Sequence, residues 1–240
     1  MTERDRTKIF IGTLLAVFLF QFCVLLWVFR FPPEETVVLY HNRHDGWEVW
    51  VKREGLVVWA SVGYDTSTME GVQVYVEANR RLAPEVFSDP ERLIPVEVTF
   101  DRPLGIEAFR SLVAKAEMKV DRYQLRGFDS DGWRVTVEGK PSGGILVPES
   151  MLQEFADRAA QRGRPYKLAG VYLVVGEINR AGYEFLSSAD EVFLIDVMKS
   201  VVQEEIEQGA DLTIPMEKIT VSSPYYILED AGLTDVAEDG

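Results

Sequence analysis

Between Lys8 and Arg30 the sequence carries no charge. The stretch IFIGTLLAVFLFQFCVLLWVF, from Ile9 to Phe29, is an unbroken run of 21 residues in which only Thr13 and Gln21 are appreciably polar. At ~1.5 Å per residue a helix of this length spans roughly 30 Å, the thickness of the hydrocarbon core of a bilayer. A secretory signal has a shorter apolar region, about 7–15 residues, followed by small residues at a cleavage site. Here Trp27, Phe29, Arg30, Phe31, Pro32 and Pro33 follow instead. The run is therefore expected to persist as a transmembrane helix with its ends at Ile9 and Phe29. Arg4, Arg6 and Lys8 precede it, whereas Arg30 is followed by two prolines and two glutamates. The positive-inside rule then puts residues 1–8 in the cytoplasm and everything past a 30–35 linker on the far side of the cell membrane. Gly12 and Ala16 form a small-xxx-small pair, a candidate helix–helix contact through which the chain would form a homodimer.

The formal charge of −14 is carried almost wholly beyond this segment. Such an acidic body repels phosphate backbones, which excludes nucleic acid as an expected partner. A 47% hydrophobic fraction supplies a sizeable core and argues against disorder. The one cysteine, Cys23, lies inside the apolar run, so the body is expected to hold together by packing alone, without an internal disulfide.

From Thr36 the patterning changes. TVVLYH, WEVWVKR and LVVWASVG are rich in β-branched and aromatic residues, and the turn pairs Asp45-Gly46 and Glu54-Gly55 separate them. This predicts an antiparallel meander within a β-rich region at 36–90, with GVQVYVEA read as a further strand. Beyond residue 91 strands alternate with helices. LIPVEVTF is a strand, Phe109, Leu112, Val113 and Ala116 repeat at helical spacing, and a hairpin folds around FDSDG. A helix over Pro148–Arg162 stops at Gly163, GVYLVVGEI and VFLIDV are buried strands, and Asn179 caps the helix between them. A helix and tail fill 198–240, with KITV as an added edge strand. The expected fold is α+β: the transmembrane helix, a small meander, then a ferredoxin-like βαββαβ core over 91–197 with an inserted hairpin strand and helix at 132–165. One internal similarity, GVQVYVEANRRLAPEVF with GVYLVVGEINRAGYEFL, is read as chance likeness between two amphipathic segments.

VEVTFDRPLGIEAFRSLVAKAEMKVDRYQLR and GVYLVVGEINRAGYEFLSSADEVFLIDV, about 94–127 and 170–197, resemble the two βαβ halves of subtilisin-propeptide modules. Those modules are small ferredoxin-like domains that inhibit serine proteases or assist their folding. The resemblance implies the fold, and it raises a membrane-tethered inhibitor or chaperone of an exported serine protease as an alternative function.

Residues with chemical potential are few. His41, His44 and Asp45 in HNRHDG offer metal-ligand atoms, but the helical i,i+4 spacing and a distant third ligand are missing, and turn chemistry explains the motif. DSDG at 129–132 opens like a calcium loop without its later acids, so a plain turn is expected. Ser142 lacks the context of an activated nucleophile. Glu138, Glu177 and Asp196 lie on or beside apolar strands, where paired carboxylates would serve a hydrolase; strand ends facing water account for them more simply. No catalytic, cofactor-binding or metal-binding residue is assigned, and no cofactor is expected. Trp47, Trp50 and Trp59 are the candidate ligand surface, since an indole offers broad stacking area, with core packing the competing use. The function expected from these residues is a single-pass, signal-anchored extracytoplasmic protein whose α+β body binds a protein or cell-envelope partner without catalysis. A metal- or carboxylate-dependent hydrolase stands as the alternative from a different class.

Overall fold

The computed structural model describes residues 36–230, except 56, 130, 162, 164–165 and 210–215, together with the isolated position 21. Among the described residues no helix is long and apolar enough to cross a membrane. The predicted span from Ile9 to Phe29, with Gly12 and Ala16, lies outside them but for Gln21.

The body is α+β, with two sheets. Strands β1 (Val37–His44), β2 (Trp47–Glu54) and β3 (Val57–Gly63) form the meander, and Gly46 supplies the φ of +87° that the two-residue turn before β2 requires. On β2 the residues Trp47, Val49 and Val51 point inward and are buried, while Glu48, Trp50 and Lys52 alternate outward. The sheet is finished from the other end of the chain. Strand β9 (Met216–Val221) runs parallel to β3, with Ala60 opposite Ile219, so the order is β1-β2-β3-β9.

Helix α1 (Met69–Val86) lies against this sheet and corrects the reading of GVQVYVEA as a strand. Val72, Val74 and Val76 alternate like a strand, yet Val72, Tyr75, Val76, Asn79 and Ala83 recur at helical spacing and all are buried, whereas Val74 is exposed. The Thr68 side chain accepts a hydrogen bond from Gly71 N and starts the helix. The internal similarity separates accordingly: Gly71-Val72 sit in this helix, while Gly170-Val171 sit in a strand.

The second sheet contains β4 (Ile94–Leu104), β5 (Lys119–Asp129), β6 (Arg134–Gly139), β7 (Tyr166–Ile178) and β8 (Val192–Asp196), in the order β6-β5-β7-β4-β8 with every neighbour antiparallel. Helices α2 (Ile106–Lys115), α3 (Glu149–Gln161) and α4 (Arg180–Ser187) share its main core, in which Phe109, Phe155 and Leu186 meet Val98, Leu125 and Val174. Asn179 caps α4 as its position predicted, accepting from Gly182 N. Where β4 leaves β7, Gly170 takes φ +141°, and a Cβ there would stand 2.1 Å from the Leu104 carbonyl oxygen. Gly170→Ala is expected to lower stability by about 1–3 kcal/mol, read as a shift in the urea midpoint.

Helix α5 (Met198–Gly209) packs Val202 and Ile206 against the meander's core. A buried polar junction ties α1, β8 and α5 together. Tyr75 OH donates to Asp196 Oδ2 at 2.7 Å, Met198 N donates to Asp196 Oδ1 at 2.9 Å, and Val197 N donates to Asn79 Oδ1 at 2.9 Å. The short helix α6 (Tyr225–Asp230) covers the far face of the second sheet. Its Glu229 meets Arg126 Nε and Arg134 Nε, each at 2.8 Å, and the Arg126 and Glu229 side chains are 1% and 2% exposed. Tyr172, Tyr225 and Tyr226 surround the Arg126 guanidinium at 4.5–5.4 Å, and Arg126 also donates to Thr136.

Candidate binding surface on the meander sheet

The alternation of β2 sends Glu48, Trp50 and Lys52 to the face of the first sheet opposite the helices, and the strand register decides what stands beside them. His41 on β1 and Ser61 on β3 flank Trp50, while Trp59 flanks Lys52. His41 stacks on Trp50 with ring centroids 3.6 Å apart, and its Nε2 lies 3.2 Å from Glu48 Oε2. Lys52 Nζ rests 5.4 Å from the Trp50 ring centroid and 5.3 Å from that of Trp59. The Trp50 indole N–H and His41 together hold the Glu48 carboxyl below the usual carboxylate range. The result is an outward platform of two half-buried indoles bridged by an ammonium, a surface suited to stacking and hydrogen bonding.

Trp47 is not part of it. The ring is 5% exposed, on the inner face against α1 and α5, so of the three predicted ligand-surface indoles Trp50 and Trp59 share the platform and Trp47 belongs to the core. Its odd-numbered place on β2, in phase with Val49 and Val51, is the signal that separates it.

The two histidines also part company. His41 faces outward, whereas His44 faces inward, stacks on Trp47 at 3.9 Å and places Nε2 3.0 Å from Glu205 Oε2 of α5. Projecting to opposite faces of one strand, they cannot ligate a common ion. Glu205 also accepts from Tyr40 OH at 2.6 Å and Asn42 Nδ2 at 2.8 Å, so the inward row Tyr40, Asn42, His44 is bonded to α5. In DSDG, Asp129 Oδ1 accepts from the backbone N–H groups of Asp131 and Trp133, which is turn chemistry.

The predicted carboxylates are not assembled into one site. Glu138 faces Arg122 at 3.6 Å and Glu177 pairs with Lys119 at 2.8 Å, both on the sheet surface. Asp196 has a different neighbour, Glu97, its cross-strand partner on β4. Burial pushes Glu97 up to about 7, with the nearby Asp196 charge adding to the rise and Arg122 opposing it. Burial likewise pushes Asp196 up to about 6 against the bonds from Tyr75 and Met198 N–H. Nothing in the sequence marks Glu97, which alternates with Val96 and Val98 in a pattern that reads as a solvated strand face.

No protein-family model matches the chain, and no curated protein or solved structure matches it.

Proposed function

We propose that the chain is a single-pass, membrane-anchored protein whose extracytoplasmic α+β body binds a protein or cell-envelope partner without catalysis, through the Trp50–Lys52–Trp59 platform. The observation that carries this is the stacking of His41 on Trp50, joined through Lys52 to Trp59, on the side of the sheet away from its helices, where among the described residues they belong to no core cluster. The 21-residue uncharged run at 9–29 supports the anchor, and the basic residues before it support the orientation. The antiparallel order β5-β7-β4-β8, with α2 and α4 contributing to one core, supports reading the second sheet as a ferredoxin-like βαββαβ unit into which β6 and α3 are inserted.

The test uses the full chain in the cells that make it, with a photocrosslinking amino acid at Ser61 beside Trp50. An adduct with an envelope-exposed protein or polymer is expected, reduced at least about tenfold in Trp50→Ala and Trp59→Ala while thermal unfolding moves little. Protease added outside intact cells should remove the body. Adducts confined to cytoplasmic proteins, or indifferent to both substitutions, would overturn the proposal.

A further inference from the structure

We infer that the body takes up an extended segment of a partner protein as an added strand beside β1, and that this segment carries Lys or Arg at alternate positions. The inference deepens the proposed binding role and rests on it for its setting. Strand β1 ends the first sheet, and among the described residues its outer edge pairs with no strand. The other sheet edges carry the usual protection of charge or short length. On β6, Arg134 and Glu138 are ion-paired; β9 has six residues and carries Lys218; β8 has five residues and ends at buried Asp196. Strand β1 has Arg43 and an irregularity between Val38 and Tyr40, yet it has eight residues, no acid, and three consecutive exposed apolar side chains, Val37, Val38 and Leu39, at 41%, 47% and 39%.

What lies beside that edge selects the partner's chemistry. Between β1, α1 and α5 runs a groove of about 430 Å³ whose walls include the apolar Leu82, Val86 and Val201 and the acidic Glu85 and Glu204. Tyr40, Asn42 and His44 line it from β1, held in place by their bonds to Glu205. A strand added beside β1 sends every second side chain to this inner side, in line with Tyr40, Asn42 and His44 and over the groove. Long basic side chains satisfy both features, laying their methylene stems on the apolar residues and their heads against the carboxylates. Apolar side chains would leave the acids unused, and acidic ones would be repelled. Main-chain bonding to β1 supplies affinity, and the alternate basic positions supply selectivity.

The experiment uses the full chain in uncharged detergent micelles and a fluorescent, end-blocked octapeptide alternating Lys and Val. An isomer with its four Lys first and four Val last has the same charge and composition. The alternating peptide is expected to bind at least about tenfold tighter than the block isomer and to slow amide exchange along β1. The double variant Glu85→Gln/Glu204→Gln is expected to weaken it at least about tenfold with unchanged thermal unfolding. Equal binding of the block isomer, unaltered exchange in β1, or indifference to the double variant would overturn the inference, as would a dimer of the chain that itself protects β1. If the peptide fails while the Ser61 adduct persists, strand addition falls and the platform reading stands.

Discussion

Arg126→Met is expected to lower the stability of the body by about 3–5 kcal/mol, the usual result of removing one partner from a buried ion pair. Glu229 sits against two guanidinium groups with its side chain 2% exposed. Burial pushes its carboxyl above the usual range while Arg126 and Arg134 pull it back. Without Arg126 the main attraction is gone and the burial remains. Glu229→Leu should cost a comparable amount, because it takes the buried carboxylate away from the Arg126 guanidinium and leaves that charge beside the tyrosine rings and Thr136. The double variant Arg126→Met/Glu229→Leu, with no charge left uncompensated at the centre, should recover most of the loss. Urea unfolding of the full chain in detergent reads all three. If the double variant is as unstable as the two losses added, the sites act independently and the two charges are not coupled.

Between pH 5 and pH 8 the body should become less stable, and Glu97 should be a principal cause. A carboxyl whose folded pKa lies above its unfolded value binds its proton more tightly in the native state. The stability this confers is full below the unfolded value, near 4.5, and is lost as pH rises through about 7. Asp196, raised to about 6, acts in the same direction over a slightly lower window. For Glu97 the loss is about 3 kcal/mol, since a change of one in pKa corresponds to about 1.4 kcal/mol. Glu97→Gln keeps a similar shape without the charge. The variant should therefore stand within about 1 kcal/mol of the native chain at pH 5 and exceed it by about 2–3 kcal/mol at pH 8, as measured by urea midpoints. A variant whose midpoint tracks the native chain across the range would refute the assignment.

Both predictions draw on contacts of different legibility. The meander could be read because its signals are local: alternation along β2 and glycine-containing turns at Asp45-Gly46 and Glu54-Gly55. The same alternation misled at residues 71–78, where Val72, Val74 and Val76 mimic a strand and only the longer register through Asn79 and Ala83 reveals α1. Tyr75 and Asn79 become the partners of the β8–α5 junction only on the helix, since a strand would point them elsewhere. Its place at the end of an apolar strand marks Asp196, but Glu97 becomes its neighbour only through the pairing of β4 with β8. Residue type marks Trp50 and Trp59, and the side of the sheet on which each indole falls follows from phase relative to the buried valines. The Arg126 cage depends on α6 folding back from the C-terminal end, a contact no local pattern announces.

The parallel pairing of β3 with β9 has a consequence for how the protein comes into being. Val58 is opposite Met216, so a ribosome delivers the meander long before the strand that finishes it. During that interval β3 has a bare flank, an invitation to wrong pairing, and the nascent chain must be kept from taking it. Ladders closed over such a sequence distance form slowly, which makes the docking of β9 on β3 the natural step to limit maturation.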